Sequence, residues 1–244
     1  MDGVQLGARF SLATNRLNYC GPSDAEPRLY RAIVEGTGLP EARGSLERFE
    51  ALLPYLQAIG RRHGLDPFDR RVVEAYWVGN DLLDAFGRAE FREILTALTE
   101  RGLPRSVARR LAEHLPEAPI PFHAFHVSFV GVGAVTGHVP TTLANIEACR
   151  PAWAHVEEVA PATLRVRKPS VEADRGRIRL GADSSADLSY DPRVLPWIRR
   201  GDWVAVHWNW PALHLSEEQR TSMERYTARS FESANEALPS LGVL

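Results

Sequence analysis

The chain has 244 residues, of which 44% are hydrophobic and 25% charged, and its formal net charge at pH 7 is −2. These values are typical of a globular protein with a substantial core. Because 29 basic side chains are matched by 31 acidic ones, no excess positive charge is available to neutralise a phosphate backbone, and a nucleic-acid partner is not expected. No apolar run approaches the roughly 18 residues that span a bilayer, and the first residues lack a signal-peptide pattern. We therefore predict a cytoplasmic protein without a membrane partner.

The first 148 residues are predicted to form a helical domain. Apolar residues recur every three or four positions from Ser45 to His63, which indicates one amphipathic helix, and Gly64 is expected to end it. Asp66 followed by Pro67 is typical of a helix start, and that helix is expected to run to Trp77. The predicted helices are residues 29–34, 45–63, 66–77, 91–98, 106–115 and 141–148.

Residues 119–140 do not follow this pattern. They contain a nearly unbroken apolar run, interrupted by Gly131 and Gly133. Such a run is expected to be buried, but its periodicity does not distinguish a strand from a helix. Both structures therefore stay open for this segment.

After Pro151 the apolar period changes to two, which predicts short strands near residues 156–159, 164–166, 178–180 and 203–210. Turn residues separate these strands, as expected of a small barrel. From Ser216 to about Glu236 a polar helix is predicted, with Ser216 and Gln219 as a capping box. The predicted fold class is α+β, with a helical domain (1–148) followed by a small β-barrel with a closing C-terminal helix (149–244).

The C-terminal part resembles the hydrogenase-maturation chaperone family. Residues 201–208 (GDWVAVHW), Leu213 and residues 215–218 (LSEE) are similar to a stretch in which that family has a Gly-Asp turn, a valine-rich strand with a histidine, and a helix with an acidic start. Residues 149–151 (CRP), followed by the strand around Val156, look like the opening of that family. The resemblance covers about 80 of the 244 residues and implies the small barrel.

The same resemblance implies a function. These chaperones use their cysteine and their strand histidine while handling the iron fragment that is delivered to a nickel–iron hydrogenase precursor. On this sequence the two residues would be Cys149 and His207. In the family the cysteine stands at the processed N-terminus, whereas Cys149 follows 148 residues. The whole chain also resembles an uncharacterised family of bacterial proteins, through residues 19–22 (YCGP), 74–80 (EAYWVGN) and 122–127 (FHAFHV).

His123 and His126 lie three positions apart, upstream of His138 and Cys149. On a helix this spacing places both imidazoles on one face, as a metal site needs. On a strand the two rings would point to opposite faces and could not share an ion. A thiolate with imidazoles suits iron, zinc or copper, whereas the alternative is that one histidine lies in the core and the other is exposed.

Cys20 is predicted to lie in a tight turn formed with Gly21 and Pro22. Nearby backbone amides could lower the pKa of its thiol, as a nucleophile or a thiolate ligand requires. A turn cysteine that only contributes to packing is an equally good interpretation.

Glu74 lies close to Tyr76 and Trp77 near the predicted end of a helix. Partial desolvation among these aromatic rings would raise the pKa of its carboxyl group toward the range of a general acid. The favoured alternative is that Tyr76 and Trp77 are core residues and Gly79 caps the helix.

Two functional hypotheses follow, beside the possibility of a protein-interaction module without chemistry. The first is an accessory protein of metalloenzyme maturation that binds a metal fragment, or a metalloenzyme precursor, through Cys149, His207, Cys20 and His126. The second is an enzyme that acts on a small molecule between the helical domain and the barrel, with Cys20, His123, His126 and Glu74 as catalytic residues. The expected cofactor is iron or another transition metal. No phosphate-binding loop or dinucleotide fingerprint is present in the sequence, so a nucleotide cofactor is not expected.

Overall fold

A computed structural model describes residues 1–241, in which helices fill the first 149 residues and one antiparallel sheet follows. The helices are α1 (Gly3–Arg16), α2 (Glu26–Val34), α3 (Leu39–Leu46), α4 (Leu52–His63), α5 (Arg70–Trp77), α6 (Arg88–Thr99), α7 (Arg105–Glu113), α8 (His123–Phe125), α9 (Leu143–Cys149), α10 (Glu217–Ala234) and α11 (Leu238–Leu241). A 3₁₀ turn spans Asp81–Ala85, and a π-helical segment, His126–Gly131, continues α8. The strands are β1 (Ala152–Val159), β2 (Thr163–Asp174), β3 (Arg177–Ser189), β4 (Trp203–His207) and β5 (Trp210–Leu215).

Helix α1 was not among the predicted helices, although it is central to the helical region. Asp2 and Gln5 form a capping box at its start, which satisfies amide groups that have no partner within the helix. The helix lies against α2, α3, α5 and β5, and most of its residues are buried. Its buried residues include the polar Ser11, Thr14 and Asn15, which obscure the apolar pattern by which surface helices are predicted.

The single helix predicted over 45–63 is wrong, because α3 and α4 are separate helices joined by residues 47–51. The Arg101 guanidinium donates hydrogen bonds to the carbonyl oxygens of Glu47 at 2.6 Å and Phe49 at 3.1 Å. These carbonyl groups lie in the link, where no helical partner is available to them. Gly64 ends α4 in the left-handed conformation, as predicted.

The following helix starts three residues later than predicted. Asp69, rather than Asp66, accepts the capping hydrogen bond, from the amide of Arg71. Asp66 instead accepts from the amide of Phe68 and pairs with Arg43. The end of this helix at Trp77 is confirmed.

The apolar segment of residues 119–140 is helical over residues 123–131. Residues 123–131 form α8 and the π-helical segment, and all of them are buried. Gly131, with φ +111°, ends this helical stretch in a conformation that favours glycine. His123 and His126 therefore share a helix, and their ring centroids lie 5.9 Å apart.

The five strands form an open antiparallel sheet with the order β3-β2-β1-β4-β5. A closed barrel was predicted, and this part of the prediction is wrong, since β3 and β5 are edge strands that do not pair with each other within residues 1–241. Helix α10 approaches both edges. The Asn235 side chain, just beyond α10, bonds both the amide and the carbonyl group of Ile178 at 2.8 Å. This contact occupies the backbone groups through which β3 could pair with another strand.

The strand predicted over residues 203–210 is a hairpin. β4 ends at His207, Trp208 and Asn209 form the turn, and β5 begins at Trp210. Both turn residues have positive φ, +51° and +55°, as a two-residue hairpin turn of type I′ requires. The C-terminal helix and its capping box of Ser216 and Gln219 are confirmed.

The helical region and the sheet share a hydrophobic core. One cluster of buried side chains runs from Val4 to Leu241 and includes residues of helices and strands alike. A second, smaller cluster covers the other face of the sheet around Val156 and Val204. Secondary structure changes from helix to strand between Cys149 and Ala152, and the division into two domains there stays a prediction. Within residues 1–241 no helix has both the length and the apolar character needed to cross a membrane.

Candidate metal centre

Three side chains from distant parts of the chain lie close together in the interior of the protein. His123 is the first residue of α8, Cys149 is the last residue of α9, and His207 is the last residue of β4. Their exposed fractions are 7%, 9% and 1%. The described residues thus place two imidazoles and one thiol together inside the protein.

The spacing of the donor atoms fits a single ion. The Sγ atom of Cys149 lies 3.6 Å from Nε2 of His123 and 3.8 Å from Nε2 of His207, and all three donor atoms lie within 4.8 Å of one another. A tetrahedral ion with a metal–sulfur bond of about 2.3 Å and metal–nitrogen bonds of about 2.0–2.1 Å separates sulfur from nitrogen by about 3.6 Å. Both sulfur–nitrogen distances are close to this value, so the group could hold a metal ion.

Each histidine is oriented through its other ring nitrogen. The Nδ1 atom of His207 lies 2.7 Å from the carbonyl oxygen of Phe10; since that oxygen only accepts, Nδ1 carries the proton and donates. The Nε2 atom of His207 then presents a free lone pair toward Cys149. The Nδ1 atom of His123 shares a hydrogen bond of 2.7 Å with the Tyr76 hydroxyl group. Outer-shell partners of this kind fix ring orientation and tautomer in metal sites.

Electrostatics keep the three groups neutral when no cation is near. Burial lowers the pKa of His207 to about 4 and the pKa of His123 well below its ordinary value. Burial also raises the pKa of the Cys149 thiol. A bound cation reverses this preference for the cysteine, because a coordinating thiol loses its proton.

The hairpin turn ties the cysteine to the second histidine. The amide of Trp208, next to His207, donates to the carbonyl oxygen of Ala148, next to Cys149, at 2.6 Å. On the other side of Cys149, the Arg150 side chain is fully buried and donates to the carbonyl oxygen of Pro169. Residues on both sides of the cysteine are thus held by the sheet, which limits movement of its sulfur atom.

A cavity of about 40 Å³ adjoins the three donor groups. Its wall combines the donors with residues of α1, α5 and the link between α3 and α4. The lining residues are Ser11, Thr14, Cys20, Phe49, Ala51, Leu52, Tyr76, Trp77, His123, Cys149 and His207. A larger depression of about 340 Å³, lined by Arg61, Glu90 and Glu93 among others, lies elsewhere on the helical surface. It contains neither a cysteine nor a histidine, so we place the candidate site at the small cavity.

A family model described as a family of unknown function, DUF6390, matches residues 1–240. The chain belongs to this family. A search of curated proteins and a search of solved structures found no match. The matched region contains the sheet and the helices before it, so His123, Cys149 and His207 all lie within it.

Two of the four predicted metal ligands, Cys149 and His207, lie together in this DUF6390 protein. The third member of the observed group is His123, which the sequence analysis named as a catalytic candidate and considered, through its spacing with His126, for a metal site. Cys20 lines the same cavity but lies outside the group of three. Burial raises the pKa of its thiol to about 12, so the turn does not produce the lowered pKa that was considered for it.

His126 and Glu74 lie outside the group. The Nδ1 atom of His126 shares a hydrogen bond of 2.9 Å with the Tyr55 hydroxyl group, and burial lowers its pKa to about 4. Glu74 accepts a hydrogen bond from the Gln219 side chain of α10 and is not part of the cavity wall. His138 is exposed.

The sequence did not identify the residues that orient the histidines. The Phe10 contact uses a backbone carbonyl group, which no side-chain pattern reveals. Tyr76 belonged to the unusual aromatic group beside Glu74, and that density of aromatic residues was the available signal.

Proposed function

We propose that this protein holds one transition-metal ion on His123, Cys149 and His207, and that it acts as an accessory protein in the maturation of a metalloenzyme. The observation that carries the proposal is the convergence of three donor atoms. Two of these atoms belong to histidines that Tyr76 and the Phe10 carbonyl group already orient. Two imidazoles with a thiolate suit zinc, iron or copper. The resemblance of residues 149–151 and 201–218 to hydrogenase-maturation chaperones favours iron and a precursor of the nickel–iron hydrogenase type.

The size of the cavity supports holding an ion over converting a metabolite. Pockets for small-molecule substrates commonly have volumes of about 300–1,000 Å³, whereas this cavity has about 40 Å³. Phe49, Ala51 and Leu52 supply an apolar part of its wall. An ion in this place would be shielded from bulk solvent.

Metal binding is tested on the full chain purified without oxygen. We expect close to one equivalent of metal by elemental analysis, and one equivalent of Co²⁺ bound after chelator treatment, with a sulfur-to-cobalt charge-transfer band. Cys149→Ser should abolish that band, and His123→Gln should weaken cobalt binding at least tenfold. His126→Gln is the matched control, since it changes a buried histidine of the same helical segment. Unchanged cobalt binding in Cys149→Ser would contradict the proposal.

The maturation role needs a separate experiment in the native host. Replacing the chromosomal gene by the Cys149→Ser variant should lower the metal content of a client metalloenzyme, measured by elemental analysis of fractionated extracts. An unchanged metal content of all fractions, together with cobalt binding by the purified protein, would leave the metal site intact and refute the maturation role.

An enzyme acting on a very small molecule is the second candidate, and the position of the cavity favours it. The cavity lies between helices and sheet, and Cys20 shares its wall with His123. In this alternative Cys20 is the nucleophile or a ligand. The rate at which its thiol reacts with iodoacetamide distinguishes the two functions.

A further inference from the structure

We propose that the cavity binds a small exogenous ligand, a hydrogen-bond acceptor of two or three non-hydrogen atoms, at a fourth position on the metal. In this proposal Trp77 and Ser11 donate hydrogen bonds to that ligand. The inference deepens the proposed function and rests on the metal site of His123, Cys149 and His207.

Two polar atoms of the cavity wall have no partner. The Ser11 Oγ and Trp77 Nε1 atoms are buried, and neither makes a hydrogen bond to any other described residue. The residues themselves are 1% and 3% exposed, and both line the cavity. Leaving a buried polar group unpaired is unfavourable, so two such groups among the residues that line one cavity favour a polar occupant there.

Trp77 is placed directly against the metal ligands. Its ring centroid lies 4.4 Å from that of His123 and 5.1 Å from that of His207. The Phe10 ring also stacks on Trp77, with centroids 4.9 Å apart and ring planes 7° apart. The indole N–H only donates, so its partner in the cavity has to accept a hydrogen bond.

The coordination number leaves room for this ligand. Three protein ligands with an open fourth position are the arrangement of catalytic zinc sites, in which water or substrate completes the tetrahedron. Cys20 lines the cavity without belonging to the group of three donors. An external ligand therefore has access to a position that the observed side chains do not fill.

The volume sets the size of the ligand. One water molecule needs about 10–15 Å³ of such space, so about 40 Å³ accommodates a ligand of up to about three non-hydrogen atoms. The apolar wall formed by Phe49, Ala51 and Leu52 limits the ligand on the remaining sides. Hydroxide and azide meet these requirements, whereas imidazole, with five ring atoms, is too large.

The test uses the full chain loaded with Co²⁺, with cobalt content measured before each titration. Azide should change the visible spectrum of the cobalt protein with saturation at one equivalent per ion, and imidazole should not. Ser11→Ala and Trp77→Phe should each weaken azide binding about five- to tenfold, the usual loss for one hydrogen bond, without changing cobalt stoichiometry. Ser11→Ala removes a single atom and keeps the test decisive if Trp77→Phe does not fold.

Thr227→Val is the matched control, because the Thr227 hydroxyl group is also buried without a partner in the described structure but lies outside the cavity wall.

An azide-insensitive spectrum in cobalt-loaded protein would overturn the inference and leave the metal site standing. Recovery of azide binding in Cys20→Ser would then identify Cys20 as the fourth ligand. Equal azide affinity in Ser11→Ala, Trp77→Phe and Thr227→Val would also overturn it. Failure to bind cobalt would refute the proposed function, and the inference with it.

Discussion

The Nδ1 atom of His207 donates a hydrogen bond of 2.7 Å to the carbonyl oxygen of Phe10, which lies 197 residues earlier in the chain. Phe10 belongs to the buried helix α1, and His207 ends strand β4. This contact joins the first helix to the sheet and, at the same time, turns the Nε2 atom of His207 toward Cys149. Orientation of the proposed ligand and attachment of the sheet are therefore the same interaction.

Substitutions of His207 should separate these two effects. His207→Asn keeps a donor near the position of Nδ1, whereas His207→Ala keeps neither nitrogen. We expect both variants to lose at least tenfold in cobalt affinity. In metal-free protein, His207→Ala should lower the free energy of unfolding by about 2–4 kcal/mol and His207→Asn by about half as much. Denaturant unfolding measures this difference, and equal stability of the two variants would contradict the role of the Phe10 contact.

Tyr76→Phe removes the hydroxyl group that orients His123. Loss of such an outer-shell partner commonly weakens metal binding 10- to 100-fold, and we expect a decrease in that range. Tyr55→Phe is the control, since Tyr55 is also buried and its hydroxyl group contacts His126. Cobalt competition with a chromophoric chelator compares the two. A similar loss in Tyr55→Phe would mean that His126 contributes to the site.

The thiol groups should react slowly in the folded, metal-free protein. Cys20 is partly buried, and burial raises the pKa of its thiol to about 12, so it is protonated at neutral pH; the Cys149 side chain is buried more deeply. Iodoacetamide at pH 7.5 should modify both cysteines at least tenfold more slowly than in unfolded protein, with Cys20→Ser and Cys149→Ser assigning each rate. Rapid, selective labelling of Cys20 would favour the enzymatic alternative.

Acid should weaken a contact between α2 and the loop after β3. Hydrogen bonds from Arg193, assisted by Tyr30, lower the pKa of Asp191 to about 2 from its ordinary 3.8. Since the folded-state pKa is the lower one, this stabilisation is complete above about pH 5 and is lost as the pH falls through about 2. Asp191→Asn should cost less than about 1 kcal/mol at pH 6 and nothing near pH 2.

Unfolding of Asp191→Asn by denaturant at both pH values checks this expectation. Asp187→Asn serves as the control, since Asp187 forms a more exposed ion pair with Arg165 and should matter little at either pH. A stability difference between Asp191→Asn and the parent that persists at pH 2 would contradict the expected linkage.

Trp197 combines strong exposure with a strained backbone. The residue is 86% exposed, and its φ is +67°. The left-handed conformation costs a residue with a Cβ atom about 1–2 kcal/mol, whereas glycine adopts it readily. Trp197→Gly should therefore raise the free energy of unfolding by up to about 1 kcal/mol. Trp197→Ala removes the same ring but retains the strain, so an equal gain in that variant would contradict the explanation.

The sequence was informative where the pattern reflects one-sided burial. The α10 capping box, the end of α4 at Gly64 and the strands β1 to β3 follow from local patterns that the structure confirms. Helix α1 and the break between α3 and α4 were missed for a physical reason. The first buries polar residues such as Ser11 and Asn15, and the second depends on Arg101, which donates hydrogen bonds to carbonyl groups more than 50 residues away.

The candidate site shows the same limit. Cys149 and His207 were paired through a resemblance to known chaperones, and the structure places the two side chains together. His123 lies beside them because residues 123–131 are helical and because the start of α8 lies next to the end of β4, with the His123 and His207 ring centroids 5.2 Å apart. A closed barrel was predicted from strand spacing, but β3 stays at the edge of the sheet. The backbone of its Ile178 bonds the side chain of Asn235, 57 residues later in the chain, and strand spacing does not reveal such a contact.

The position of His207 sets a sequence of events during biosynthesis. His123 and Cys149 leave the ribosome first, and His207 follows Cys149 by 58 residues. Until the β4–β5 hairpin has emerged and closed against Ala148, the nascent chain offers only an open imidazole–thiol pair. The complete three-donor set therefore exists only after this hairpin has packed against Ala148, and the proposed ion would meet all three donors only from that point on.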